Sequence, residues 1–212
     1  YVDPANSRRK DSDYTAMMRI GIDSKGARYL LEFLQDKLTT EDSTSKVLDM
    51  AEKAGIKSIH YETIGFQDTD KAIIERKARD RGYGINIIEI KASHISKEDR
   101  IRGLQPYYEL GLVRWPKEHW YYSKYEKKRI NMVEILRDSM LMFPRIEHDD
   151  LLDCHSFMLR DVEVRAHAGQ SDKKDDYMTF GWWKERIREK RHKDKLKSKS
   201  TAMPQLLNIW NR

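Results

Sequence analysis

The chain has 212 residues, of which 39% are hydrophobic and 36% are charged, and its formal net charge is +6. This composition excludes a disordered polymer and predicts a soluble globular protein with a sizeable core. The basic balance favours a polyanion as partner wherever the charge is gathered into a patch. No apolar run is long enough to predict a membrane span. The single cysteine, Cys154, excludes an internal disulfide, fits a reducing compartment and is predicted to lie in the core.

The first half of the chain is predicted to open with three strands and then to alternate helices with strands. Strands are predicted over 1–5, 14–22, 27–35, 56–61 and 85–90, a polar loop over 6–13, and helices over 43–54 and 68–81. The turn signal Asp23-Ser24-Lys25-Gly26 makes the first three strands an antiparallel meander. The strand–helix–strand order that follows predicts parallel pairing through right-handed crossovers.

The second half is predicted to be mostly helical, with a change of character near residue 165. Helices are predicted over 96–110, 128–141 and 148–160, with Pro106 splitting or kinking the first of them. Short strands are predicted over 112–115 and, as an aromatic edge strand, over 119–125. A polar linker over 166–176 precedes a basic helix over 180–199, whose span 184–199 has nine Lys or Arg against three acids. These features predict a domain over 1–164 and an extension over 165–212. The abrupt start at Tyr1-Val2 predicts a fragment of a longer protein.

The densest cluster of chemically useful side chains is His148-Asp149-Asp150-Leu151-Leu152-Asp153, which follows Phe143-Pro144. Acids gathered in this way repel each other, so their grouping needs a reason. One reason is the start of a helix, where Asp caps free N–H groups and complements the dipole. The other is a divalent metal ion, which takes oxygen ligands.

Three meander strands followed by helix, strand, helix and strand is the order of the ribonuclease H-like fold, an α/β fold with a mixed central sheet flanked by helices. In that fold one acid on the first strand, one at the end of the fourth strand and one on a late helix hold two divalent metals, roughly 4 Å apart, across a scissile phosphate. Here those positions hold Asp3, Glu62 and the Asp149/Asp150 pair.

Over residues 1–160 the chain resembles the nuclease domain of the large terminase subunit of tailed bacteriophages. The motifs that carry the resemblance are Val2-Asp3-Pro4-Ala5 followed by Asp13-Tyr14-Thr15-Ala16; Tyr61-Glu62 closing a strand; Lys97-Glu98-Asp99-Arg100-Ile101 with Leu104, Pro106 and Gly111-Leu112-Val113; and Phe143-Pro144 before His148-Asp149-Asp150-Leu151-Leu152-Asp153.

The resemblance implies two-metal cleavage of double-stranded DNA during phage genome packaging, in the cytoplasm of the infected host and without a membrane. It implies that Asp3, Glu62 and Asp150 bind two Mg²⁺ or Mn²⁺ ions, that Asp149 assists and that His148 orients a ligand or the leaving oxygen. Glu62 stands where some relatives have Asp. An ATPase motor of the same parent protein, the small terminase subunit and the portal are the implied partners. No G-x-x-x-x-G-K-[ST] motif occurs here, so an isolated nuclease domain is expected.

Several residues allow more than one interpretation. Asp153 shares a helix face with Asp149 and Asp150. It is either a further acid behind the metal ligands, a metal ligand itself, or a solvent-facing partner of a basic residue. Of the three acids, we expect Asp153 to lie farthest from the metal ions. The basic residues Lys91, Lys97, Arg100 and Arg102 form either a DNA-steering surface or a solvated helix face. The aromatic run Trp115, Trp120, Tyr121, Tyr122 and Tyr125 is predicted to form a packed hairpin rather than a base-stacking platform.

Two other functions fit the same sequence. One is another ribonuclease H-like nuclease, such as a junction resolvase or a ribonuclease H. The other is a non-catalytic DNA-binding or docking module that keeps the fold.

Overall fold

The computed structural model describes residues 1–5, 14–62, 68–91, 94–160, 177–179 and 188. Its strands are β1 (Val2–Asp3), β2 (Thr15–Ile22), β3 (Arg28–Asp36), β4 (Ser58–Glu62), β5 (Asn86–Ile90), β6 (Val113–Pro116), β7 (Trp120–Ser123), β8 (Lys128–Asn131) and β9 (Tyr177–Thr179). Its helices are α1 (Thr40–Ala54), α2 (Asp68–Asp80), α3 (Lys97–Arg102), α4 (Gln105–Glu109), α5 (Met132–Met142) and α6 (Asp150–Ser156), with a 3₁₀ turn over Phe157–Arg160.

Within these ranges the fold is α/β, built on a mixed seven-stranded sheet with the order β5-β4-β1-β2-β3-β6-β9. Strands β1, β2 and β3 form the predicted antiparallel meander, with Asp3 opposite Ala16 and Ala16 opposite Gln35. Strand β4 pairs in parallel with β5, as predicted, and it also pairs in parallel with β1. The parallel pairing places the ends of β1 and β4, and therefore Asp3 and Glu62, at one edge of the sheet.

Helices cover both faces of the sheet. The Gln35 side chain reaches α6, whereas Glu32, three residues earlier and therefore on the opposite face, lies 3.8 Å from Lys53 of α1. Between these layers the core buries large side chains from strands and helices alike. The largest fully buried residues include Trp115, Tyr61, Phe33, Phe157, Met17, Met18, Leu30, Leu34, Leu48 and Ile74.

The predicted helix over 96–110 is two helices, α3 and α4, because Pro106 stands in the first turn of the second one. The proline ring fixes φ and lacks an N–H, so it is tolerated at a helix start and not in a helix interior. The prediction that Pro106 would split or kink the helix is therefore confirmed as a split.

The prediction of a helix from residue 128 is wrong at its start. Residues Lys128–Asn131 form β8, which pairs with β7 as a separate two-stranded hairpin, so β7 is not an edge strand of the main sheet. Helix α5 begins at Met132, where the Asn131 side chain accepts a hydrogen bond from the Val133 N–H. The apolar helical spacing that favoured the longer helix comprises Met132, Ile135, Leu136 and Met140, all of which lie in α5.

Strand β9 pairs antiparallel with β6, so the sheet receives a strand from beyond residue 164. The predicted loop over 6–13, the linker over 166–176 and, apart from Arg188, the basic helix over 180–199 lie outside the described residues. None of the described helices is both long enough and apolar enough to cross a bilayer.

Candidate active site

Asp3 and Glu62 form the buried centre of the candidate site. They are only 8% and 5% exposed, and their carboxyl groups are hydrogen-bonded to each other. Burial, the neighbouring charge and hydrogen bond of Glu62, and the charges of Asp153 and Asp150 raise the pKa of Asp3 well above its usual value. The side chains of Asp3, Glu62, Asp150 and Asp153 therefore form an acidic cluster at the end of β1.

Helix α6 brings the third group of acids to this pair, and its start is held by a residue that the sequence did not point to. The Leu151 N–H donates a hydrogen bond of 3.1 Å to the buried Gln35 side chain at the end of β3. Asp149 occupies the N-cap position, yet its side chain makes no capping hydrogen bond. Capping therefore does not explain Asp149, because Gln35 supplies the acceptor instead.

Asp153 is buried and held by Arg100. The guanidinium Nη2 of Arg100 lies 2.7 Å from both carboxylate oxygens of Asp153, whose side chain is 6% exposed. Asp153 is therefore the partner of a basic residue, which was one of the three alternatives. Its side chain is buried, however, and does not face solvent.

Lys97 bridges the outer acids. Its ammonium Nζ lies 2.7 Å from Asp149 and 3.7 Å from Asp153. Burial alone would lower the pKa of Lys97, but the hydrogen bond to Asp149 and the charges of Asp153, Asp149 and Asp150 together raise it. Asp149 and Asp153 are thus each paired with a cation.

No Lys or Arg within the described ranges forms an ion pair with Asp3 or Glu62. Asp150 stands at the first position of α6, half-buried, close enough to add to the negative charge around Asp3. His148 is exposed, and its ring packs edge-on against Tyr14 with 4.9 Å between centroids.

The four basic residues predicted to steer DNA differ in their contacts. Arg100 and Lys97 contact the acids, and Arg102 pairs with Glu98 at 2.5 Å on the outside of α3. Lys91 is exposed at the end of β5. Two of the four therefore position carboxylates.

Among the side chains of the described residues, no three His, Cys, Asp or Glu are grouped to hold a metal ion. The donor chemistry nevertheless suits a hard divalent cation, because the carboxylates of Asp3, Glu62 and Asp150 offer only oxygen ligands. Burial and the charges of Glu62, Asp153 and Asp150 disfavour the ionised form of Asp3 and raise its pKa, and a bound cation would favour that form.

A scan against protein-family models finds no match for this chain, and a search of the curated proteins finds none either.

Two other buried side chains of α6, Cys154 and His155, pack into the core. The Cys154 thiol is fully buried and lies 3.7 Å from the Ala16 carbonyl, and burial raises its pKa, which disfavours the nucleophilic thiolate. His155 is also fully buried, with Nδ1 3.2 Å from the Tyr108 hydroxyl, which in turn accepts a hydrogen bond from Trp115 Nε1–H.

His155 is expected to make stability fall on mild acidification. Burial, with the charge of Arg28, lowers the pKa of His155 to about 3, whereas an unfolded His titrates near pH 6.5. The unfolded chain therefore binds the extra proton first, so this stability is complete above pH 6.5 and is lost as the pH falls towards 3. At pH 5 the loss from this residue is about 2 kcal/mol.

Urea unfolding at pH 7 and pH 5 tests this prediction. His155→Leu should show a smaller difference between the two pH values than the unmutated chain, and His94→Leu at an exposed position should not change it. An equal pH dependence in His155→Leu would contradict the assignment.

Gln35→Met is expected to destabilise the chain by about 1–3 kcal/mol, because the Leu151 N–H is buried and loses its acceptor. Gln105→Met makes the same substitution at an exposed position and serves as the matched control, which should change stability far less. Equilibrium unfolding of both variants measures the effect, and a Gln35→Met variant as stable as the unmutated chain would show that this contact does not hold α6.

Proposed function

We propose that this chain is a metal-dependent endonuclease of the ribonuclease H-like type that cuts double-stranded DNA by phosphodiester hydrolysis. The observation that carries the proposal is the burial of Asp3 against Glu62, with the charges of Asp150 and Asp153 also raising the pKa of Asp3. Charges of one sign are costly to gather in a protein interior without a functional reason. The sheet order β5-β4-β1-β2-β3, with the acids at the ends of β1 and β4, supports the ribonuclease H-like assignment.

In this proposal Asp3, Glu62 and Asp150 hold the metal ions. Two bound Mg²⁺ or Mn²⁺ ions would lower the pKa of an attacking water and neutralise charge on the leaving 3′ oxygen. Asp149 stands beside these ligands as an assisting acid, and its carboxylate pairs with Lys97. Arg100 fixes Asp153 and thereby the first turn of α6, so that Asp150 keeps its position.

The biological setting in the proposal is genome packaging by a tailed bacteriophage, in the cytoplasm of the infected host. The support is the resemblance of the motifs around Asp3, Glu62 and Asp150 to the large terminase subunit. On this proposal an ATPase motor in the parent protein feeds the duplex to the nuclease, and the small terminase subunit and the portal are further partners.

Incubation with supercoiled plasmid tests the activity. Nicked and linear products are expected with Mg²⁺ or Mn²⁺, and none after addition of a chelator. Linear duplex, four-way junction and RNA–DNA hybrid should be compared in the same buffer. Preference for the junction or for the hybrid would replace the proposal with a resolvase or a ribonuclease H, and absence of any metal-dependent cutting would leave a binding module.

A further inference from the structure

The hairpin β7–β8 stands outside the main sheet and is attached to it at one buried carboxylate. Asp36, the last residue of β3, is 1% exposed and accepts hydrogen bonds from the Tyr121 hydroxyl (3.0 Å), the Ser123 hydroxyl (2.8 Å) and the Lys124 N–H (3.2 Å). These contacts fix one face of the hairpin against the body of the protein and turn the other face outward.

The outward face exposes large aromatic side chains together with a cation. Trp120 and Tyr122 are 48% and 57% exposed, and they alternate with Tyr121 along the strand. Arg129 pairs with Tyr122 across the hairpin, so it lies on the same face, and its guanidinium is 6.0 Å from the Trp120 ring. Exposed aromatics next to a guanidinium are typical of binding surfaces rather than of solvated strands.

A second set of rings leads from the hairpin turn towards the helix that carries the acids. Tyr125, 54% exposed in the hairpin turn, lies 5.1 Å from the Lys37 ammonium, which lies 5.3 Å from the Tyr14 ring. Tyr14 in turn packs against His148, the neighbour of Asp149. We call the two sets together the hairpin ledge, which comprises Trp120, Tyr122, Arg129, Tyr125, Lys37 and Tyr14.

The net positive charge of the hairpin indicates which class of partner the ledge binds. Residues 117–129 include five Lys or Arg and two Glu, an excess of positive charge that complements a polyanion. Lys37 lies between the rings of Tyr125 and Tyr14, and Tyr14 contacts His148, so a phosphate held by Lys37 would belong to a backbone that runs towards His148 and Asp149.

We infer that the hairpin ledge docks the phosphate backbone of duplex DNA beside the cleavage site. The inference rests on the proposed function, since it identifies where that substrate binds. Lys37 and Arg129 contact phosphates, and Tyr125 and Trp120 supply salt-independent contact with the sugars.

Binding in EDTA, where no cutting occurs, tests the ledge without relying on catalysis. The dissociation constant of a short labelled duplex is measured by fluorescence anisotropy over a series of KCl concentrations. Each phosphate contact that is lost should reduce the slope of log K against log salt by about 0.9. Lys37→Gln and Arg129→Gln are each expected to reduce it by about that amount. Tyr125→Ala should weaken binding several-fold with the slope unchanged.

Lys25→Gln is the matched control, because Lys25 is exposed in the turn at the opposite end of the β2–β3 hairpin. It should leave both affinity and slope unchanged. Arg129 is exposed, so Arg129→Gln keeps the test valid if Lys37→Gln fails to fold. Unchanged slopes in folded Lys37→Gln and Arg129→Gln would overturn the inference, and the ledge would then be a candidate surface for binding a protein. Normal binding through the ledge without metal-dependent cutting would instead refute the proposed function.

Discussion

Asp3→Asn is expected to abolish DNA cleavage while making the folded chain more stable at neutral pH. The substitution removes one oxygen ligand from the proposed metal site, where several kcal/mol of charge stabilisation correspond to about 10³-fold or more in rate. The shape of the side chain is kept, so residue 3 still pairs with Ala16 and Val2 still pairs with Met17. Loss of activity with a gain in stability is the signature of a site that gathers charge for chemistry.

The stability effect follows from the raised pKa of Asp3. Between the unfolded value and the higher folded value the native chain binds more protons than the unfolded chain. Stability linked to Asp3 is therefore complete below the unfolded pKa and is lost as the pH rises through the folded pKa. Asn imitates the protonated side chain and should remove this loss.

Plasmid cleavage in Mg²⁺ and thermal unfolding across neutral pH would measure the two effects on one preparation. Asp80→Asn, at an exposed position that ends α2, is the control and should leave cleavage and unfolding unchanged. An Asp3→Asn variant that still cuts DNA would end the nuclease assignment. A variant that is inactive and less stable would mean that Asp3 has a structural role instead.

Arg100→Met is expected to destabilise the chain by about 3–5 kcal/mol, because it leaves the buried charge of Asp153 without its partner. The double variant Arg100→Met/Asp153→Leu should recover most of this loss, since no charge then remains buried and unpaired. The same helix provides the control. Arg102→Met breaks an exposed pair with Glu98 and should change stability by about 0–1 kcal/mol.

Equilibrium unfolding in urea would compare these three variants with the unmutated chain. A small effect of Arg100→Met, similar to that of Arg102→Met, would show that Asp153 is solvated in solution. In that case Arg100 would not be the residue that holds the first turn of α6.

Local sequence patterns predicted most of the secondary structure, because many of the elements are determined by residues that are close together in the chain. The turn signal at Asp23 and the alternating strands on either side of it fix the β2–β3 pairing. Once β1 and β4 are parallel neighbours, Asp3 and Glu62 must meet, so their proximity was predictable. The start of α5 was not predictable from the sequence, because Lys128–Asn131 becomes a strand only through its pairing with Trp120–Ser123.

The contacts that hold the acidic helix in place could not be predicted from the sequence, because they join residues that are far apart in the chain. Gln35 contacts Leu151 across 116 positions, and Arg100 contacts Asp153 across 53. Arg100 in particular has the sequence context of an exposed, amphipathic helix and was predicted to steer DNA. Only tertiary packing turns it inward, because the buried carboxylate of Asp153 needs a paired cation.

Strand β3 ends in Gln35 and Asp36, followed by Lys37, and each of the three serves a different part of the protein. Gln35 holds the acid-bearing helix on one face, Asp36 holds the hairpin on the other, and Lys37 lies between Tyr14 and Tyr125. Inserting or deleting one residue within β3 would exchange the two faces and break both attachments at once. The strand therefore tolerates changes of side chain far better than changes of length, and relatives of this chain are expected to differ here by substitution alone.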